Sequence, residues 1–395
     1  MKKLSMFGLF LFIIPFLCVG QLKNNQEINR IINNLPSGET FYLPNGEYND
    51  LQIQITSKNR ISIKAQQNGK VRFSGNSFIT IRNSNDVLIS GFLFDKTNAL
   101  ISITIQNSNR VTVSDNYFDQ CGNGEYNSII MIKDGSSDNI ITRNTFNKNR
   151  TMGVRINDFN NFNNEISFNS FLDIPRATDI YRSSGGNGLE CIMVGSGKQW
   201  KWNSNTIIRN NYFKNVIGDA TEIISLKSNK NSVLGNYFEN SKGGISLRLG
   251  NNSIISKNTF FNTAYPVRVY GAGHKIIGNT MNGGVIGIQL PGGDSEQGSN
   301  QRLASYFRSD NISIEGNFVS NFKESVVMGR TGGKNRNLMP TNITVDNNTF
   351  DKQTWLVTDN NRINGMKANG NRASSLDSKV TKMSMDKTGV SWKIQ

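Results

Sequence analysis

Short runs of alternating apolar and polar residues recur along the chain, nearly all closing on an asparagine and a large apolar residue. "NSNDVLISGFLF" ends at Phe94, "NSNRVTVSDNYF" at Phe118, "SSDNIITRNTF" at Phe146 and "NNEISFNSF" at Phe171. "NSNTIIRNNYF" to Phe213, "NKNSVLGNYF" to Phe238, "NNSIISKNTF" to Phe260 and a weaker "GHKIIGNTM" to Met281 continue the series. "SDNISIEGNF" to Phe318 and "TNITVDNNTF" to Phe350 complete it. The alternation inside each copy is that of a strand with one buried face. Most steps are 21–28 residues, with no helical period between them. A unit of this kind cannot bury its apolar face alone, so the units stack. The predicted fold is all-β: a single-domain, right-handed parallel β-helix. Equivalent residues then stand about 4.8 Å apart, and the recurring asparagines are expected to form an internal ladder of amides.

Three steps are longer: 42 residues from Phe171 to Phe213, 37 from Met281 to Phe318 and 32 from Phe318 to Phe350. Long insertions on a regular scaffold tend to carry function. Theirs are "GGNGLECIMVGSGKQWKW", "PGGDSEQGSNQRLASYF" and "GRTGGKNRNLMP". At the start, "LPSGETFYLPNGEYNDLQIQI" reads as the first coil.

The ends differ from the middle. Lys2 and Lys3 precede an apolar run over residues 6–19, the pattern of a secretory signal peptide over residues 1–20. The β-helix is expected over residues 21–372, with 373–395 a polar cap or tail, and the protein is expected to be secreted or periplasmic without a membrane span. Removing the leader would take away two lysines and lower the net charge from +15 to +13. A basic field on an exported chain attracts polyanions. With no nucleic-acid motif in the sequence, an acidic polysaccharide is the expected partner. Cys121 and Cys191 either pair or remain buried thiols.

Charge also marks a place on the coils. In "EIISLKS" and "ISLRL", Ile224 aligns with Ile245 and Leu226 with Leu247, so Lys227 and Arg248 point outward together. "PVRVYG" sets Arg268 outward and "GIQLPG" sets Gln289 outward, which predicts one outer column of Lys227, Arg248, Arg268 and Gln289. Cations stacked at this spacing repel one another unless an anion lies across them. His274 is the only histidine, which argues against a Ser/His/Asp hydrolase or a histidine-rich metal site. Nor do Glu190, Asp219 and Glu222 form a convincing outward carboxylate pair for glycoside hydrolysis. Lysine with arginine suits β-elimination from a uronic acid, which needs a base for the C5 proton and stabilisation of the leaving oxygen. Arginine hardly ever gives up its proton. Water or a tyrosine (Tyr265, Tyr270 or Tyr306) is the easier donor. Trp200 and Trp202 are candidates for stacking on sugars.

These segments resemble polysaccharide lyase family 6, the parallel β-helix lyases that include alginate lyases and chondroitinase B. "NGLE…VGSG" at 187–197 is similar to that family's Asn-Gly-x-Glu segment, and "EIISLKS" at 222–228 to its Glu-Ile-Ile-x-x-Lys-Ser strand. "LRLGN" at 247–251 resembles Leu-Arg-His-Gly-Asn, and "VRVYGAGH" at 267–274 resembles Ile-Arg-x-x-Gly-x-x-His. The likeness runs in order from about residue 35 to 350. It implies Lys227 as base, Arg248 on the leaving-group side, and Arg268 and His274 holding substrate. Glu190, Tyr270 and Gln289 are expected beside them.

The resemblance also implies calcium, held by an asparagine and two acids two residues apart. Asn187 and Glu222 match, but Ala220 stands where the other acid belongs, with Asp219 one step away. Calcium is therefore in doubt as a cofactor. Leu249 replaces the family's histidine, and simple alternation turns Glu222 away from Lys227 unless the chain bends there. The reading that results is an exported lyase of an acidic uronate polymer, with alginate as the expected substrate. The alternatives are a glycosaminoglycan such as dermatan sulfate, or a noncatalytic β-helix that binds acidic glycans.

Overall fold

The computed structural model describes residues 24–373 and 387–393, apart from 158, 182–186, 198, 298–305, 331–334, 352–354 and 358–362. The expected leader, residues 1–20, lies outside the described residues. The chain forms a right-handed parallel β-helix. Its strands make one 13-stranded sheet and one 23-stranded sheet, and every pairing between strands is parallel. The larger sheet has two faces, which merge where Thr280–Leu290 and Phe318–Met328 run on through the corner. Each coil thus contributes a strand to three faces.

β-Branched residues at every second position build these strands. In Asn59–Ala65, Ile61, Ile63 and Ala65 are buried, and in Gln52–Thr56 it is Ile53 and Ile55. Corners need residues that tolerate a left-handed backbone. Asp173, Asn215, Asn240 and Asn262, successive occupants of one corner, have φ of 53°, 55°, 51° and 49°. The first coil follows the reading above: Thr40–Leu43, Gly46–Asn49 and Gln52–Thr56.

The asparagine ladder runs from Asn116 through Asn144, Asn169, Asn211, Asn236, Asn258, Asn279, Asn317 and Asn348 to Asn371. Each amide Nδ2 donates to the next Oδ1 at 2.9–3.1 Å. Beside it Phe94, Phe118, Phe146, Phe171, Phe213, Phe238 and Phe260 stack with centroids 4.5–5.1 Å apart. Phe318 is not the next member. Met281 pairs with Val319, and Phe318 takes the preceding, outward position opposite Thr280. The aromatic there directly follows Asn317, whereas the other copies from Phe118 onward have one residue between asparagine and core side chain.

The repeat gave no sign of the helix Asn25–Asn34. Asn24 caps it, and Ile28 and Ile32 are buried against the core. Asn29 accepts from the backbone of Gln54 and donates to that of Gln52, both at 2.7 Å, which satisfies part of an open sheet edge. Residues 387–393 lie along the outside of earlier coils: Thr388 meets Ser170 at 2.8 Å and Trp392 Nε1 donates to the Asp115 carbonyl at 3.1 Å. Cys121 and Cys191 are buried and unpaired. Among the described residues no helix is long and apolar enough to cross a membrane.

Candidate active site

Four neighbouring strands of one face carry the site: Ile192–Val194, Glu222–Leu226, Gly243–Leu247 and Tyr265–Val269. Ile224 pairs with Ile245 and Leu226 with Leu247, so Lys227 and Arg248 leave their strands at the same level. Lys227 N–H donates to the Val194 carbonyl at 2.7 Å, and Arg248 N–H to the Leu226 carbonyl at 2.9 Å. Just beyond, Gly250 at φ 92° passes so close to Ser228 that a Cβ would lie 2.3 Å from its carbonyl oxygen. Only glycine fits there.

The single outer column of four residues is in fact two columns. Arg268 pairs with Ser246 and Gln289 pairs with Arg268, whereas Lys227 and Arg248 lie two residues further along their strands than that line. The offset is about 7 Å. The coil at this point is 22 residues long, two more than the spacing from Arg248 to Arg268.

Glu222 is the hub. The register slips by one residue between Glu222 and Ile224, and Ile223 and Ile224 are both buried. This bulge is the bend that alternation alone did not provide, and it brings the Glu222 carboxylate to the side of Lys227. Oε1 forms ion pairs with Arg248, whose Nε lies 3.3 Å away, and with Arg268, while Oε2 accepts from the Ser225 hydroxyl at 2.7 Å. Burial alone would raise the Glu222 carboxyl, but Arg268, Lys227 and Arg248 outweigh it and hold it below the usual range. Lys227 Nζ faces Glu190 Oε1 at 3.5 Å and Met193 Sδ at 3.3 Å.

Glu190, Asp219 and Glu222 bring carboxylate oxygens within 4.8 Å of one another. Burial, then Glu190 and Glu222, push Asp219 up to about 8. Burial likewise raises Glu190 against the pull of Lys227. A tight turn explains why Asp219 takes the place that Ala220 cannot fill. Glu222 N–H donates to the Asp219 carbonyl at 2.9 Å, and Ala220, at φ 47°, is exposed. Among the described residues, Glu190 Oε2 is buried without a hydrogen-bond partner. Three crowded carboxylates with an unsatisfied oxygen fit a hard divalent cation such as calcium.

A cleft of about 500 Å³ encloses these groups, lined among others by Tyr126, Arg155, Asn187, Glu190, Asp219, Glu222, Lys227, Arg248, Leu249 and Tyr306. A smaller pocket of about 190 Å³ holds Arg268, Tyr270 and Gln289 with Arg330 and Arg336. Arg268 joins the two through Glu222. His274 lines neither. It is buried, accepting from Ser253 N–H at 3.1 Å and meeting the Tyr270 carbonyl at 3.0 Å, and burial lowers it to about 4. Of the three tyrosines weighed as proton donors, Tyr306 alone lines the larger cleft. Trp200 packs edge-on against Phe307 and Trp202 against Phe159, outside the linings of both pockets. Arg155 and Arg336 went unnoticed in the sequence. Arg336 lies in one of the long insertions; Arg155 had no such signal.

A model of the chondroitinase B family matches residues 22–289. No curated protein matches the sequence. Among solved structures, a polysaccharide lyase of family 6 from Pseudopedobacter saltans is 23% identical with a TM-score of 0.80, over 95% of this chain and 99% of that one. A variant of the family 6 alginate lyase AlyGC is 21% identical with a TM-score of 0.77, over 95% of this chain and 58% of its own. A mannuronic acid specific family 6 lyase from the human gut microbiota is 23% identical with a TM-score of 0.72, over 87% of this chain and 80% of that one. At these identities the structures speak to the fold. The family match spans well over half the chain, and the chain belongs to the chondroitinase B family, among the polysaccharide lyases of family 6.

Proposed function

We propose that the protein is an exported lyase that cleaves alginate by β-elimination, with Lys227 as base and Arg248 stabilising charge at the scissile linkage. One observation carries the reading: a lysine and an arginine leave adjacent parallel strands at one level, within a single cleft. Lys227 takes the C5 proton of the uronate. The electron pair left behind forms the C4–C5 double bond, the C4–O bond breaks, and the leaving oxygen takes a proton from water. Arg248 offers fixed N–H donors where charge gathers on that oxygen. Glu190 Oε1 lies 3.5 Å from Lys227 Nζ and can accept a proton passed on from that amine.

Arg268 and Gln289 are assigned to the neighbouring sugar, with Tyr270 shaping their pocket. His274 acts from beneath by holding the Tyr270 backbone. Glu190, Asp219 and Glu222, with Asn187 at the rim, would hold a calcium ion. When bound, such an ion would neutralise the uronate carboxylate. Glu222 is already neutralised by two arginines, so the proposal gives calcium a supporting part.

Alginate is preferred because lyases of that polymer or of its mannuronic acid are among the structural relatives. The family's description keeps a glycosaminoglycan such as dermatan sulfate as the second reading. A panel of acidic polysaccharides, followed by the absorbance of new unsaturated ends, tests both. Absorbance with alginate alone supports the proposal. Absorbance with dermatan sulfate alone favours the second reading, and binding without absorbance marks a noncatalytic glycan binder.

A further inference from the structure

Tyr306 meets two arginines at once. The guanidinium carbon of Arg248 lies 3.4 Å from its ring centroid and that of Arg336 lies 3.3 Å from it. Two guanidiniums cannot share one face of a ring at that height, so they lie on opposite faces. The ring is held in place. Tyr306 N–H donates to Asp294 Oδ1 at 2.8 Å, Asp294 N–H donates to the Tyr306 carbonyl at 2.9 Å, and Tyr270 packs against the ring at 4.9 Å. Two of the long insertions therefore meet over Arg248, one bringing Tyr306 and the other Arg336.

We propose that Tyr306 is a positioning residue, whose ring, stacked between Arg248 and Arg336, fixes the plane of the Arg248 guanidinium in the cleft. The inference rests on the lyase reading and assigns no proton to the phenol. Arg248 is a long side chain that shares its cleft with three carboxylates, and its Nε already meets one of them, Glu222. Without a flat partner it would settle onto those acids and turn its donors away from the substrate. A guanidinium stacked on an aromatic face loses little of its in-plane hydrogen-bonding capacity. Arg336 steadies the opposite face of the ring, and so acts on Arg248 through Tyr306.

The test is a set of variants assayed by release of unsaturated ends. Tyr306→Ala should lower kcat about 10- to 100-fold with a much smaller change in KM, the scale of a misplaced catalytic group. Tyr306→Phe, which keeps the ring and removes the hydroxyl, should restore kcat to within about threefold of the parent with the pH profile unmoved. Arg336→Ala should lower kcat on its own and add nothing in the Tyr306→Ala background, as expected of residues that act through one contact. Should Tyr306→Ala fail to fold by thermal unfolding, the Tyr306→Phe and Arg336→Ala enzymes still decide. Loss in Tyr306→Phe equal to that in Tyr306→Ala, or a displaced alkaline limb in Tyr306→Phe, would make the phenol a proton donor and overturn the proposal. Full activity in Arg336→Ala also overturns it. These results leave the lyase reading intact; a parent protein that releases no unsaturated ends from any acidic polymer removes that reading, and this proposal with it.

Discussion

Glu222 and Arg268 form an ion pair although 46 residues separate them along the chain. The pair spans two coil steps and passes Arg248, which meets the same carboxylate oxygen. The three side chains are 12–15% exposed, so their mutual charges are weakly screened.

Glu222→Gln should therefore leave two nearly buried guanidiniums without their anion. The expected cost is about 3 kcal/mol of stability, the scale for breaking a buried pair by removing one partner. Urea unfolding measures it, and a loss below about 1 kcal/mol would mean that solvent already screens the pair. Turnover should fall as well, because Arg248 loses a fixed partner.

Acid should destabilise the fold through His274. Its folded value, about 4, lies below the 6.5 of an unperturbed histidine. The unfolded chain therefore binds the proton first as pH falls. The stability linked to His274 is fully present above pH 6.5 and is lost between 6.5 and about 4. Unfolding midpoints of the parent and of His274→Gln at pH 7.5, 5.5 and 4.5 isolate this part. The variant should show the shallower decline, and parallel curves would contradict the assignment.

Calcium should bind more tightly as pH rises through about 8, because Asp219 must give up its proton to become a ligand. Calorimetry at pH 6.5 and 8.5, in buffers of different ionisation enthalpy, reads both the affinity and the proton release. Protein treated with EDTA should keep part of its turnover, since arginines already neutralise Glu222. Complete loss that calcium restores would show that the ion is obligatory.

Much of the fold was legible because stacking repeats one local rule. A core residue two positions after an asparagine, aromatic in most coils, recurs along the ladder from Asn116, and the ladder is what the structure contains. The site was legible in its members and less so in its geometry. Alternation has a period of two, so a slip of two residues keeps every side chain on its expected face. Arg268 thus read as the next member after Arg248 when its partner is Ser246. The bulge at Ile223 has the opposite character, a one-residue shift that reverses facing, and a run of three apolar-compatible positions does not announce it. Tyr306 and Arg336 meet through insertions outside the repeat, where no periodicity predicts a partner. His274 sat in a matched segment but points into the solenoid, a direction its motif did not encode.

Lys227→Ala, assayed on alginate by the absorbance of unsaturated ends, tests the central claim most directly. Lys227 lies outside the apolar core, so the variant should fold like the parent by thermal unfolding. The expected result is a fall in kcat of about 10²- to 10⁴-fold, the usual loss when a general base is removed. A folded Lys227→Ala protein that releases unsaturated ends within about tenfold of the parent rate, a loss too small for a general base, would contradict the account.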